Sequence, residues 1–298
     1  MLRHGLVQPS FIPPRDIREL RDLTRRRRTL LQNGTQERNR VQKVLEDANV
    51  KIGNVLSDVL GMSGQAMLEA LLENKLNTEE VADLARGSLR RKIPQIVEAL
   101  EGHRMSDHHR LLIRQALNHM PFIEEMIEEL DKQIQEKLAA YQKQVELACT
   151  VPGIRSEAAA GILAEIGMDM SDNGPFSSCH HLASWAGVCP GNNSSAGKRK
   201  SGKIGKGNRW LKATLTQTAW AGANKKNSAF QFRYQRLKTR RGVKRATIAV
   251  AHAQLIALYW VLRNGVPYQQ QRQDLEQQQR ESLIRHHLLR LEQLGYTT

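Results

Sequence analysis

The chain has few of the features that mark secreted or membrane proteins. Its three cysteines, Cys149, Cys179 and Cys189, are too few for a disulfide framework in 298 residues. Met1–Asp16 contains three prolines and lacks the apolar stretch that a signal peptide requires. The longest apolar run, Ala246–Leu262, is interrupted by Thr, His and Gln and falls short of a membrane-spanning helix. These absences predict a soluble intracellular protein.

Acidic residues are missing from one long segment of the chain. Between Asp172 and Asp274 there are 18 Lys and Arg residues and no Asp or Glu, whereas the rest of the chain carries a net charge of −3. Charge of one sign repels itself unless a polyanion or solvent compensates it. A soluble surface normally mixes both signs, so this segment is predicted to bind nucleic acid.

A second basic cluster, Arg25–Arg28, stands within a segment of helical periodicity. Four charges in a row on a helix are typical of a solvated face. Contact with nucleic acid is the alternative interpretation of this run.

Apolar residues recur at three- and four-residue steps through most of the chain, and strand-like alternation is missing. The pattern predicts one long helix over 15–48, with a weak point at Asn33-Gly34, and another from Ser106-Asp107 to Val145, where Pro121 favours a bend. We expect these two helices to pair as an antiparallel coiled coil, within the chain or between two chains. Shorter helices are predicted at Gly64–Glu73, Thr78–Arg86, Ile93–Leu100, Ser178–Ala186, Ser228–Lys238 and Val243–Arg263, from Ser156 to Gly167, and from Gly207-Asn208 to Ala223.

The segment Val151-Pro152-Gly153-Ile154 precedes a helix of small residues. It is similar to a helix-hairpin-helix turn, whose free backbone N–H groups can bind a phosphate. A plain helix start explains the same residues equally well.

The most informative stretch is the predicted loop at 189–206, which is rich in glycine, lysine and hydroxyl groups. Cations beside Ser194 and Ser195 would stabilise the negative charge that gathers on phosphorus during nucleophilic attack. The plainer alternative is a flexible basic loop that only grips a backbone, and composition alone favours it.

Two other groups of residues invite a functional interpretation. Cys179-His180-His181 and Cys189 do not have the spacing of zinc ligands, so we expect structural roles for them. The four tryptophans are expected mainly in the core, with base stacking as the alternative: Trp185, Trp210, Trp220 and Trp260.

Several segments resemble one known family. VPGIRSEAAAGILAEIG (151–167), HLASWAGVCPGNNSSAGKRKSGKIGKGNRWLKATL (181–215) and VAHAQLIALYWVLRNGVPY (250–268) resemble the C-terminal transposase domain of the Piv/MooV-type insertion-sequence transposases, the "IS one-ten" family. Upstream, IRELRDLTRRRRTLLQ (17–32), KVLEDANVKIGNVLSDVLGMSGQAMLEAL (43–71) and SDHHRLLIRQAL (106–117) resemble the coiled-coil region of that family. The resemblance covers about residues 2–268.

The resemblance implies a DNA recombinase that excises and inserts an element without duplicating its target. In such enzymes a RuvC-like domain with four acidic metal ligands works with a serine nucleophile, a structured guide RNA selects the partner DNA, and coiled coils help to hold several subunits together. The family serine lies five residues after the proline of W-A-G-x-x-P, which is Pro190 here and gives Ser195 as nucleophile, with Ser194 as second choice. The residues expected to bind nucleic acid are Lys198, Arg199, Lys200, Lys203, Lys206, Arg209, Arg233, Arg236, Arg240 and Arg241.

The chain departs from the family at its N-terminus. Family members begin with the RuvC-like domain, and Met1–Gly5 matches the sequence just after its acidic pairs, with Phe11-Ile12-Pro13 as a last extended remnant. The remaining acids form no comparable set for the Mg²⁺ that the resemblance implies: Glu19, Asp22, Glu46, Asp47 and Asp58. We therefore expect a truncated copy that binds nucleic acid and does not recombine DNA unaided, with no metal ligands of its own.

The sequence as a whole predicts a mainly α protein, in which a helical coiled-coil region is followed by a basic all-α transposase domain. The expected divisions are 1–14 (remnant of the RuvC-like domain), 15–149 (coiled-coil region), 150–268 (transposase domain) and 269–298 (Gln-rich tail). Expected partners are DNA, a guide RNA and further copies of the chain, without a membrane, in the bacterial cytoplasm at the nucleoid. The competing hypothesis is a non-catalytic fragment that binds nucleic acid or assembles with full-length relatives.

Overall fold

The computed structural model describes residues 12–74, 76–191, 193–195 and 198–269, and for 193–195 and 198–201 it describes the backbone alone. The predictions for residues 1–11 and 270–298 lie outside this range. The α-helices are α1 (Arg15–Asp47), α2 (Met62–Glu73), α3 (Thr78–Asp83), α4 (Ile93–Leu100), α5 (Asp107–Leu138), α6 (Gln142–Cys149), α7 (Ser156–Ile166), α8 (Cys179–Ala186), α9 (Arg209–Asn224), α10 (Ala229–Arg241) and α11 (Val243–Asn264). Short 3-10 turns lie at Ile52–Asn54, Gly87–Lys92 and Ala139–Tyr141, and the strands β1 (Asn193–Ser195) and β2 (Lys198–Ser201) precede α9. The predicted mainly α fold is confirmed.

The described residues form two compact units, each with its own hydrophobic core. The helical unit is Arg26–Gln133, and the basic unit contains residues 12–25 and 134–269. Each long helix contributes to both units, because α1 enters the helical unit at Arg26 and α5 leaves it after Gln133.

In the helical unit, α1 and α5 lie antiparallel within the chain. In order along α1, side-chain hydrogen bonds join Arg27 to Asp131 at one end, Glu37 to His119 in the middle and Asp47 to His109 at the other end.

Helix α1 passes through Asn33-Gly34 without interruption, so the expected weak point does not break it. A Cβ at Gly34 would lie 3.8 Å from Ile123 Cγ2, an ordinary packing contact. Tertiary packing against α5 therefore outweighs the poor helix propensity of this dipeptide. The second long helix is shorter than predicted: the 3-10 turn Ala139–Tyr141 separates α6 from α5.

The remaining helices of this unit close its core around α5. Arg110 Nε donates to Leu71 O at 3.3 Å, and Arg114 Nη2 donates to Leu72 O at 3.0 Å. These carbonyls belong to the last turn of α2, where backbone oxygens have no partner within the helix. Cationic side chains of α5 therefore stabilise the end of α2.

In the basic unit, α9, α10 and α11 pack against one another and against α6, α7 and α8. Their contacts bury a continuous set of aliphatic side chains, with Leu163, Leu211 and Leu255 fully inaccessible. Helix α11 has the length and hydropathy of a membrane span, but half of that window is buried inside the protein. It is therefore a core helix of this unit.

Candidate nucleic-acid interface

The segment predicted as a loop at 189–206 contains a β-hairpin. β1 and β2 are antiparallel, and their register sets Ser195 opposite Lys198 and Ser194 opposite Arg199. Closer to the body of the unit, Pro190 pairs with Ile204, and Gly191 N donates to Lys203 O at 3.1 Å. The backbone thus brings the two candidate serines together with the cationic run. The side chains of Ser194, Ser195, Lys198, Arg199 and Lys200 lie outside the described structure.

The base of the hairpin is fixed to the body of the unit by close backbone contact. Gly187 ends α8 with φ +71°, and a Cβ there would lie 2.8 Å from Gly207 Cα. Only glycine allows this conformation and this approach together. On the other side, Lys212 Nζ donates to Gly205 O at 2.8 Å and to Lys206 O at 2.7 Å. Both ends of the 188–206 segment are therefore held in place.

Asn208 joins the hairpin to α9. Its Oδ1 accepts from Trp210 N at 2.9 Å and from Leu211 N at 3.1 Å, which is the expected N-cap. Its Nδ2 donates to Glu165 Oε2 at 2.6 Å. Because Glu165 is 2% exposed and belongs to α7, this bond ties the start of α9 to the core.

Two arginines of α1 balance the buried charge of Glu165. Arg25 donates to both carboxylate oxygens, at 2.6 and 2.8 Å, and Arg21 Nε lies 3.6 Å from Oε2. The hydrogen bonds that Arg25 donates to Glu165 raise the pKa of Arg25, whereas burial lowers the pKa of Arg21. Together with Asn208, they supply this buried carboxylate with the partners it requires.

These contacts change the interpretation of the run Arg25–Arg28. Arg25 binds Glu165 within the basic unit, and Arg27 binds Asp131 within the helical unit. Arg28 is partly buried, which lowers its pKa. These three side chains are therefore paired with acids or partly buried within the protein. The prediction that the run forms a solvated face is wrong for them.

The predicted nucleic-acid-binding residues with described side chains are all exposed: Lys203, Lys206, Arg209, Arg233, Arg236, Arg240 and Arg241. The first three lie at the hairpin base and the start of α9, whereas the other four lie on α10. Within the described part of the chain, none of the four arginines of α10 forms an ion pair. Arg263, by contrast, is paired with Asp172. α10 thus presents positive charge without an internal counterion.

The tryptophans divide into two groups. Trp185 is partly buried, with its ring centroid 5.2 Å from that of Phe176. Trp210 is also partly buried, and the guanidinium carbons of Arg25 and Arg209 lie 5.7 and 4.9 Å from its ring centroid. Trp220 and Trp260 are 44% and 47% exposed, so the expectation of a core position is wrong for these two.

The turn at 151–154 packs inside the unit. Gly153 has φ +94°, and a Cβ there would lie 2.4 Å from both Gly222 N and Thr218 O of α9. Pro152 O accepts from Gln254 Nε2 at 2.7 Å. The structure favours a packed helix start over a phosphate-binding turn.

The described side chains do not fit the Mg²⁺ that the family resemblance implies. Among these side chains, no group of three or more His, Cys, Asp or Glu residues is placed so that it could hold a metal ion. Cys179, the first residue of α8, is buried in the core, whereas Cys189, which precedes the hairpin, is partly exposed.

Sequence reasoning missed Glu165 as the residue that connects α1, α7 and α9. Its signal was an isolated acid on the apolar helix that precedes the basic segment. Such a residue requires a buried partner.

Comparison with known proteins places the hairpin within a family domain. Residues 145–235 match the model of the family described as "Transposase IS116/IS110/IS902 family". A search of curated proteins gives no match. The matched range includes α7, α8, both strands and α9, and therefore the Glu165–Asn208 connection. This similarity supports a transposase domain of the IS116/IS110/IS902 family at residues 145–235.

Proposed function

We propose that this chain takes part in DNA recombination as an insertion-sequence transposase, with Ser195 as its nucleophile. The main support is the position of Ser195 in the matched domain, on a hairpin whose register sets it opposite Lys198. The anchored base of that hairpin adds further support, because catalysis requires a nucleophile held in a defined place. Ser194, opposite Arg199, is the second choice.

In the proposed step, Ser195 Oγ attacks the phosphorus of the scissile phosphodiester. A serine–phosphorus bond forms, the bond from phosphorus to a sugar oxygen breaks, the serine proton passes to water and the sugar oxygen takes a proton from water. Lys198, Arg199 and Lys200 would stabilise the charge on the phosphate oxygens. The phosphoserine linkage conserves the energy of the broken phosphodiester bond, so that the strand can be rejoined later.

DNA would lie across the exposed cations. Lys203, Lys206 and Arg209 would hold phosphates beside the hairpin, and Arg233, Arg236, Arg240 and Arg241 would extend the contact along α10. The lack of acids between Asp172 and Asp274 supports this assignment, since no internal negative charge competes with a phosphate there.

The family resemblance suggests further partners. We propose a structured guide RNA, additional copies of the chain associated through α1 and α5, and a place at the bacterial nucleoid. Because the described residues form no set of metal ligands, we also propose that strand exchange needs a partner that supplies them. No step above depends on a metal held by this chain.

Complementation tests the nucleophile. The chain would be combined with a family member that carries the RuvC-like domain and has its own serine replaced by alanine, together with its guide RNA and DNA. Wild type and Ser194→Ala should restore recombination and a covalent protein–DNA product in a denaturing gel, whereas Ser195→Ala should give neither. Recombination with Ser195→Ala would overturn the assignment.

The second candidate function is a non-catalytic nucleic-acid-binding or assembly protein. The absence of grouped metal ligands among the described residues favours it. In that case the chain would bind DNA, but neither wild type nor Ser195→Ala would restore recombination to the serine-deficient relative. The same complementation experiment separates the two functions.

A further inference from the structure

Trp220 is an exposed aromatic residue supported from behind by a second ring. It lies on α9 with 44% of its surface open, and its ring centroid is 5.7 Å from that of Tyr234, at an interplanar angle of 51°. Tyr234 is 4% exposed, and Lys238 Nζ lies 6.0 Å above its ring. Burial of Tyr234 fixes one side of the Trp220 indole, while nearly half of its surface stays open to a ligand.

The surroundings of Trp220 are cationic. α9 and α10 contain no Asp or Glu, and the exposed arginines of α10 have no ion-pair partner in the described structure. An open aromatic face that packs against a helix with unpaired cations matches a nucleotide, which offers a flat base for stacking and a phosphate for the cations. A protein partner would have to bring its own negative charge to this surface.

Trp220 also lies on the same face of α9 as Arg209, the first residue of that helix. Arg209, Ala213, Thr216 and Trp220 follow one another at steps of four, three and four residues, so they share one face of the helix. At about 1.5 Å per residue, Trp220 is about 16 Å along α9 from Arg209. A strand held near the hairpin base could therefore reach the indole along this face.

The other exposed tryptophan has a different environment. Trp260 is 47% exposed, but Arg263, whose guanidinium lies 5.8 Å from its ring, is paired with Asp172. A carboxylate at this place disfavours an approaching phosphate. Trp260 thus matches Trp220 in exposure and differs from it in local charge.

We propose that Trp220 is a stacking site for an unpaired base of DNA, with the α10 cations holding the adjoining phosphates. This inference rests on the proposed DNA-binding function and specifies the form of DNA that this face binds. Duplex DNA keeps its bases stacked on one another, so only a single-stranded or melted segment can place a base on the indole.

The test measures the affinity of the full chain for a labelled 12-nucleotide single strand, for the matched duplex and for the same sequence as RNA, at one salt concentration. We expect Trp220→Ala to weaken single-stranded DNA binding about 5- to 150-fold and to change duplex binding less than twofold. Trp220→Tyr keeps an aromatic face and should retain most of the affinity. Trp260→Ala, the matched control, should leave both affinities unchanged.

The possible failures are distinguishable. If the wild-type chain binds neither single strand nor duplex, the proposed function itself fails. If it binds DNA and Trp220→Ala is equal to wild type, or no weaker than Trp260→Ala, the stacking site is overturned while DNA binding stands. A loss confined to RNA would overturn the assignment to DNA. Circular dichroism would check folding, and Trp220→Leu would replace the alanine variant if that variant does not fold.

Discussion

Asn208 donates a 2.6 Å hydrogen bond to the buried carboxylate of Glu165 while its own oxygen caps α9. One side chain therefore both begins the helix and attaches it to α7. Since only three residues separate Asn208 from the paired Ile204, the position of the hairpin base depends on this bond together with the Gly187 contact. Arg25 brings α1 to the same carboxylate.

The first prediction concerns the removal of this carboxylate. Glu165→Ala leaves the partly buried guanidinium groups of Arg21 and Arg25 without their counterion and should lower the free energy of unfolding by about 3 kcal/mol. Urea denaturation would measure it. Glu19→Ala removes an exposed partner of Lys137 and Arg15 and serves as control, with a much smaller expected change. Equal losses for the two variants would contradict the role of Glu165.

The second prediction isolates the Asn208–Glu165 bond. Aspartate caps a helix as well as asparagine does, so Asn208→Asp preserves the cap but sets two carboxylates against each other. We expect it to be destabilising by about 1–3 kcal/mol. Adding Glu165→Gln supplies an amide donor to the new aspartate, and the double variant should be more stable than the sum of the two single changes predicts. Simple additivity in this cycle would show that the two side chains are not coupled.

The third prediction concerns Gly153. An alanine there combines φ +94° with a Cβ 2.4 Å from the backbone of α9, so α7 and α9 would have to separate. We expect Gly153→Ala to cost more than about 3 kcal/mol or to prevent folding. Gly265→Ala is the control, since Gly265 has φ +63° and nothing within 4 Å of its Cβ position, and it should cost only about 1–2 kcal/mol. A similar thermal midpoint for both variants would refute the packing argument.

Helix ends were predictable because their signals are local. Ser178 caps α8 and Gly187 ends it, as the sequence indicated, and Asn208 caps α9. In α3, which starts at Thr78 as predicted, the Asn77 and Glu80 side chains form a reciprocal capping box. Each of these signals acts within four residues along the chain.

Long-range contacts were not predictable from the same patterns. The partner of Arg25 is 140 residues away in the sequence. The local sequence of a run of arginines is therefore the same whether the run faces solvent or a buried acid. The hairpin lacks alternating apolar residues, and its register depends on backbone pairs such as Pro190 with Ile204. The assignment of Ser195 and the cations as site residues stays a prediction.

The fourth prediction is a pH dependence from His252 on α11. Burial, together with the charges of Arg233 and His180, lowers the pKa of His252 below its ordinary value of 6.5. The unfolded chain therefore takes up this proton at a higher pH than the folded chain. Stability from this residue is complete above about pH 6.5 and decreases as the pH falls below it. Between pH 7.5 and 5.5, wild type should lose more stability in urea than His252→Gln does; an equal loss would contradict the shift.

The last prediction concerns the charge of α10. If Arg236 and Arg240 each contact a phosphate, changing either to glutamine should lower the slope of log affinity against log salt by about 1 and weaken binding to all duplex sequences alike. Neutralising about 6–10 phosphates in total would give wild type a loss of roughly 10³–10⁵ in affinity between 50 and 200 mM salt. Arg263→Gln is the control, because Asp172 already balances that cation, and its slope should equal that of wild type. A salt-independent affinity would contradict the phosphate contacts and would instead point to a protein partner.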